Sequence, residues 1–322
     1  MLSLLKELID GATSFTIKGY AKLLRYLSQT YKIIPLCRLP QETAPYLALR
    51  HDVDYSPSSA LRMAELEQKL GVTATYFVLF SDRFYNLHEC RNVQIIRRIS
   101  ALGHEVGLHY DPSQYQIYDN CSEKTLKIEI TLLEHLLGKK VYSIARHGPW
   151  VRDPFYAVKG YINANDPRWR GDLFIHDSLR AWTPYEALPT LLRNPPRRVQ
   201  LLVHPAYWRG EEIDRKMLLD SFFDNREKEN RSFKKELEKW WVKDPTALEY
   251  DARFADSKNS LIVPLAELES RPQKSECQEL TSLFRWYLIN TSIGWEFHKV
   301  VANTIRRLAR KISYLEIKRQ SD

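Results

Sequence analysis

Three carboxylates and four histidines in this 322-residue chain follow apolar runs, at positions where chemistry could be done. Asp52 and Asp54 follow the apolar run at 46–49. His109 ends the run EVGL, Arg146 and His147 follow VYSIA, His176 and Asp177 follow LFI, and His204 follows VQLLV. Carboxylates two residues apart can divide their work, one accepting a proton while the other grips a cation. Ser56 already supplies the helix cap that would otherwise explain them. A neutral imidazole at a strand end, as expected for His109, can face an open cavity and offer a lone pair to a metal. Of His176 and Asp177, strand alternation turns only one inward, and Asp177 is the candidate. His104 precedes its strand and reads as structural, as do His88, His135 and His298.

These groups need a scaffold that brings strand ends together. Short apolar runs at 46–49, 72–80, 105–108, 141–145, 173–175 and 199–203 alternate with helical segments, which predicts a mostly parallel sheet, open or closed into a barrel. In such folds the strand C-termini converge on one face, and that face carries the site. The first connecting helix has Ser56 as N-cap, Pro57 at its first position and Gly71 past its end; another, over 123–137, spaces Leu126, Ile130, Leu133 and Leu137 on one face and stops at Gly138. Residues 1–31 read as helix, 211–241 as charged helix, and 276–291 and 292–317 as further helices. The expected domains are therefore an N-terminal helical extension (1–44), an α/β barrel (45–210) and a helical C-terminal region (211–322).

Composition narrows the function. At 44% hydrophobic and 27% charged residues, with no long apolar stretch, the chain reads as a soluble globular protein. Lys6, Glu7 and Asp10 interrupt any signal-peptide core, so the expected location is the cytoplasm. Cys37, Cys90, Cys121 and Cys277 are widely spaced, which argues against a disulfide framework or a thiolate zinc site. The net charge of +8 is uneven: residues 299–322 hold seven basic and two acidic side chains, so most of the excess belongs to one terminal amphipathic helix. No nucleic-acid partner is expected. That helix would pack on the body, associate with a second copy or rest on an anionic membrane surface.

RHDVD at 50–54, GHEVGLH at 103–109, HGPW at 147–150 and LLVHP at 201–205 occur in an order and spacing that resembles the polysaccharide deacetylase superfamily, the NodB-homology or carbohydrate esterase family 4 group. The RHDVD form is similar to its divergent WbmS-like branch, associated with bacterial surface-polysaccharide genes. The resemblance covers roughly residues 45–210. It implies a deformed (β/α) barrel, a divalent metal, usually zinc, and removal of an acetyl group from a carbohydrate: a sugar, nucleotide sugar or lipid-linked glycan. By position, Asp52 matches the family's catalytic base, Asp54 substitutes for its metal-binding aspartate, His109 matches its first histidine ligand and His204 its general acid. The second histidine ligand is replaced by Ser113; His147, Asp111 or a water would complete the shell. Tyr110, Arg146, Trp150, Asp177 and Trp182 would line the substrate pocket, with Asp177 and Trp182 falling where the family places groups that orient its acid. Alternatives left open are another metal-dependent amidohydrolase or phosphoesterase, and a degenerate barrel that binds carbohydrate without turning it over.

Overall fold

The computed structural model describes residues 2–43, 45–80, 82–112, 122–148 and 158–241. The predicted helices at 276–291 and 292–317 lie outside them, as do Ser113 and Trp150. The chain divides into two compact units, Met1–Glu236 and Leu237–Asp322, and every described site residue belongs to the first. Among the described residues, no helix is long and apolar enough to cross a membrane.

The elements run α1 (Leu2–Thr13), α2 (Ile17–Leu27), β1 (Lys32–Ile34), β2 (Tyr46–Val53), α3 (Pro57–Lys69), β3 (Thr75–Val78), α4 (Cys90–Ala101) and β4 (Glu105–Tyr110). They continue through α5 (Ser122–Leu137), β5 (Ser143–Arg146), β6 (Ile162–Asn163), β7 (Leu173–His176), α6 (Ala187–Arg193), β8 (Arg198–Val203) and α7 (Arg215–Trp241). Every strand pairing is parallel, in the order β6-β5-β4-β3-β2-β8-β7, with β1 paired to the start of β2. The sheet curls. Ile34, Ala48, Phe77, Ala145 and Ala164, from strands far apart in that order, meet in one buried cluster. Gln200 on β8 also reaches across to donate to the carbonyls of Ala164 and Trp169 beyond β6. This is the deformed (β/α) barrel that the resemblance implies, and it closes the choice that the pattern of strands and helices left open.

Two local readings change. The helix expected over 1–31 is two helices, because Phe15 takes a left-handed conformation (φ 54°) and the Thr16 side chain caps α2 by accepting from the Gly19 amide. The short strands β1 and β6 were not foreseen; three and two residues are too few to show a period. The caps of α3 hold as expected, with Ser56 accepting from the Ser59 amide and Gly71 at φ 70°.

Gly107, in the interior of the sheet, has no room for a side chain. A Cβ on Gly107 of β4 would lie 2.5 Å from Phe77 Cε1 on β3 and 2.7 Å from the Ser143 carbonyl oxygen on β5. Gly107→Ala is therefore expected to cost about 1–3 kcal/mol. Urea denaturation should show a lower midpoint at unchanged slope, and an unchanged midpoint would refute the packing described.

Candidate metal centre and catalytic rim

Strand β2 is buried on both faces, so alternation sends its residues to two different places. His51 meets Glu67 on α3 outside the barrel, whereas Arg50 and Asp52 share the inner side with Phe77. Asp54 lies just past the end of β2. His109 is the next-to-last residue of β4, His147 follows β5, Asp177 follows β7 and His204 follows β8. Because β2 lies between β3 and β8, these strand ends form one rim.

At its centre is Asp54. Its Oδ1 lies 3.3 Å from His109 Nε2 and 3.6 Å from His147 Nδ1, and those two nitrogens are 3.2 Å apart. His109 Nδ1 lies 3.0 Å from the Ala145 carbonyl oxygen, which can only accept. The neutral ring therefore carries its proton there and turns the Nε2 lone pair toward Asp54. Asp54 Oδ1 is buried and has no hydrogen-bond partner. Lone pairs facing a buried carboxylate oxygen require a proton or a cation between them. A tetrahedral ion bonded at the distances usual for zinc holds its ligand atoms roughly 3.3 Å apart, which matches this triangle. The three residues thus fit a divalent cation, and His147, 26% exposed, gives access from solvent.

Electrostatics agree with the geometry. Burial opposes ionisation of Asp54, but the imidazoles of His109, His147 and His204 outweigh it and hold the carboxyl well below the usual range. Burial also disfavours charge on His147, yet Asp54, followed by Asp111 and Asp82, raises its pKa to about 9.

Two further groups flank Asp54. Arg50 grips Asp52 with both ends of its guanidinium, Nε to Oδ1 at 2.7 Å and a terminal nitrogen to Oδ2 at 2.8 Å. Burial opposes the Asp52 charge, but Arg50, then His109 and His204, keep its pKa low. Asp52 Oδ2 is 3.6 Å from His109 Nε2. On the other side, His204 Nε2 is 3.5 Å from Asp54 Oδ2, while its Nδ1 donates to Asp177 Oδ1 at 2.6 Å. Burial works against the imidazolium, but Asp177 chiefly, then Asp54 and Asp52, raises the His204 pKa to about 9. Its folded pKa exceeds the unfolded one, so the stability it contributes is full below about 6.5 and lost as the pH rises through about 9. Asp177→Asn is expected to lower the His204 pKa by roughly one unit or more. An imidazole NMR titration that leaves it near 9 would rule Asp177 out as the cause.

The structure brings Asp52, Asp54, His109, His147 and His204 together. Asp177 stands where it was expected to orient the acid, and Tyr110 and Trp182 are buried. Asp177 is fully buried and accepts from the His204 amide and ring and from Trp208 Nε1, so it orients the histidine rather than touching substrate. Trp182 is buried, donates to the Ala12 carbonyl and packs on Phe15 and Trp208, so it too is structural. Tyr110 is fully buried with its hydroxyl accepting from Asn163, away from solvent. Arg146 is half-buried at the end of β5, its amide held by Asn165. Arg50 was missed, although its spacing of two from Asp52 on a strand already put both on one face. Tyr207, stacked on His204 with centroids 5.0 Å apart, and Asp82, close enough to act on His147, carried no sequence signal.

No family model matches the chain, and neither does any curated protein. Among solved structures it is similar to a chitin deacetylase from the fungal pathogen Colletotrichum lindemuthianum, at 16% identity over 60% of this chain and 86% of that one, with a TM-score of 0.37. It is also similar to a polysaccharide deacetylase from Bacillus cereus (16% identity, 56% and 87% covered, TM-score 0.34). A peptidoglycan deacetylase from Bacillus subtilis gives 15% identity, 61% and 96% covered, and a TM-score of 0.33. The chemistry assigned to the rim rests on its own geometry.

Proposed function

We propose that this protein is a metal-dependent hydrolase whose cation is held by Asp54, His109 and His147. The bond it cleaves is then the acyl linkage, amide or ester, of an acetylated sugar, and the sugar is a precursor in surface-polysaccharide metabolism. The convergence of Asp54 Oδ1 with two imidazole nitrogens carries the first statement. A carboxylate and a protonated histidine on either side of Asp54 support the second, since cleavage of an acyl bond needs both a base for the water and an acid for the leaving group.

Asp54, His109 and His147, an oxygen and nitrogen donor set that suits zinc, would hold a divalent cation, which when bound would supply Lewis acidity at the acyl carbonyl and lower the pKa of an attacking water. Asp52 stands beside the centre as a carboxylate and takes the water's proton. Arg50 keeps it ionised and fixes its plane, at the expense of basicity. His204, still protonated at neutral pH, hands its Nε2 proton to the departing amine or alcohol. Asp177 holds the opposite nitrogen, so the ring cannot turn away.

The test is metal analysis of protein purified without chelator, joined to acetate release from acetylated sugars. A stoichiometric divalent ion and acetate release that stops on chelation support the reading. Metal-free protein that binds sugar but releases nothing would make it a carbohydrate-binding barrel, and phosphate or ammonia as the product would assign a different hydrolase.

A further inference from the structure

The mechanism leaves unused a cavity of about 390 Å³ between the start of α3, the segment entering α4, and α7. Arg62, Arg91, Arg209, Arg226 and Lys228 line it, against only Glu89 and Glu229. Glu229 is shared loosely, at 3.8 Å from Arg91 and 3.9 Å from Arg226. Among the described residues, Arg62 and Arg209 pair with no carboxylate; each donates to a serine hydroxyl at 2.9 Å, Arg62 to Ser59 and Arg209 to Ser221. Arg209 Nε is buried without a hydrogen-bond partner. Burial, followed by the neighbouring charges of Arg62 and Arg180, lowers the pKa of Arg209, the mark of cations crowded without compensation. The positive end of the 13-residue helix α3 opens on the same space through Ser56 and Ser58.

This cavity adjoins the catalytic rim. Tyr55, which lines it, follows Asp54 directly, stacks on Phe222 at 4.5 Å and lies 6.1 Å from Tyr207, the ring that stacks on His204. The larger cavity, about 720 Å³, is reached from the N-terminal ends of the strands, opposite the rim that carries Asp54 and His204. There Lys32 pairs with Glu42, Lys139 donates to Ser100, and the buried Glu105 accepts from Thr75, Ser143 and Cys37. Arg168 and Arg180 are engaged elsewhere: Arg168 pairs with Asp166, and Arg180 donates to the Ile213 carbonyl.

We propose that the cavity beside Tyr55 is a phosphoryl subsite, so that the acylated sugar carries a phosphate or diphosphate ester held by Arg62, Arg209 and the start of α3. Guanidinium groups suit this ligand because two parallel N–H donors match two phosphoryl oxygens. The inference rests on the deacylase reading for the word substrate, but its test does not.

The probes are glucose, glucose 1-phosphate and UDP-glucose, which carry no acyl group, with farnesyl diphosphate as the lipid-side probe. Binding to the full metal-loaded chain is measured by calorimetry. Phosphorylated probes should bind at least about tenfold tighter than glucose, and added salt should weaken them. Arg62→Gln and, separately, Arg209→Gln should each remove most of that gain, so the result does not hang on the fold of one variant. Tighter binding of UDP-glucose than of farnesyl diphosphate assigns a nucleotide sugar, and the reverse assigns a lipid-linked one; both support the subsite. Equal binding of glucose and its phosphates overturns it. So does phosphate binding that ignores both arginine variants but vanishes in His109→Ala, since that places the phosphate on the catalytic cation. Acetate release without phosphate binding would sink the subsite alone, while phosphate binding without metal or acetate release would sink the deacylase reading alone.

Discussion

Asp54→Asn is expected to leave the protein folded but without its cation, and to abolish acetate release. An amide can still offer one oxygen, but it brings no charge, and the two imidazoles lose the anion that draws their lone pairs and a cation to one point. Bound cations supply several kcal/mol of transition-state stabilisation, so the rate should fall by about 10³-fold or more. The variant removes more than the ligand. His204 loses the Asp54 Oδ2 neighbour that helps keep it charged, so its pKa should drop from about 9 even without metal. Metal content, acetate release and the His204 titration give three separate readings. If Asp54→Asn keeps a stoichiometric ion and a normal rate, the centre assigned to Asp54, His109 and His147 is wrong.

Glu67→Ala is expected to have the largest effect on stability while touching no catalytic group. Glu67 is fully buried on α3, where Tyr20 donates to it at 2.5 Å and Tyr76 at 2.7 Å, with His51 Nε2 at 2.7 Å. His104 is close, at 3.6 Å, but is not an ionic partner. Its Nδ1 accepts from the Ala74 amide, so its Nε2 is the donor, to the Ala64 carbonyl, and the ring is neutral. Burial disfavours the Glu67 charge, yet His51 chiefly, then the Tyr20 hydroxyl, outweigh it and lower its pKa. A lowered carboxyl pKa contributes stability that is present above the unfolded value near 4.5 and lost as the pH falls through the folded one. Removing the carboxylate strands two hydroxyls and an imidazole in an apolar layer, a loss of about 3–5 kcal/mol. Glu67→Gln should lie between the two, since one oxygen still accepts. Urea midpoints at pH 7 decide the matter: a change under about 1 kcal/mol for the alanine variant would show that the network contributes little.

Much of the rim could be read from the chain alone because strand ends are local features. Period-two alternation fixes that Asp52 is opposite in facing to His51, and an apolar run ending in a polar group marks a strand C-terminus wherever the strand later pairs. The caps of α3 and the stop of α5 at Gly138 are equally local, and they appear where the sequence puts them. The break at Phe15 is different. Its left-handed backbone is held by packing with Trp182 and Trp208, residues more than 160 positions away, and no pattern within 1–31 announces it.

What only the tertiary structure decided is adjacency. The order of β8 between β2 and β7 sets His204 beside Asp54, and strand order depends on non-local pairing that leaves no trace in periodicity. Curling of the sheet turns four scattered strand ends into an Asp54–His109–His147 triangle with Asp52 and His204 on its flanks. It also takes Asp177 and Trp182 out of the pocket and into support, because an inward or outward facing specifies a side, not a neighbour. The arginines around the Tyr55 cavity come from α3, α4, α7 and the segment after β8, and only packing assembles their charge. Residue type and local rhythm thus determined which groups are available for chemistry, while the curvature and order of one parallel sheet determined which of them act on each other, since Coulomb and hydrogen-bond energies depend on distances of a few ångströms that sequence spacing does not encode.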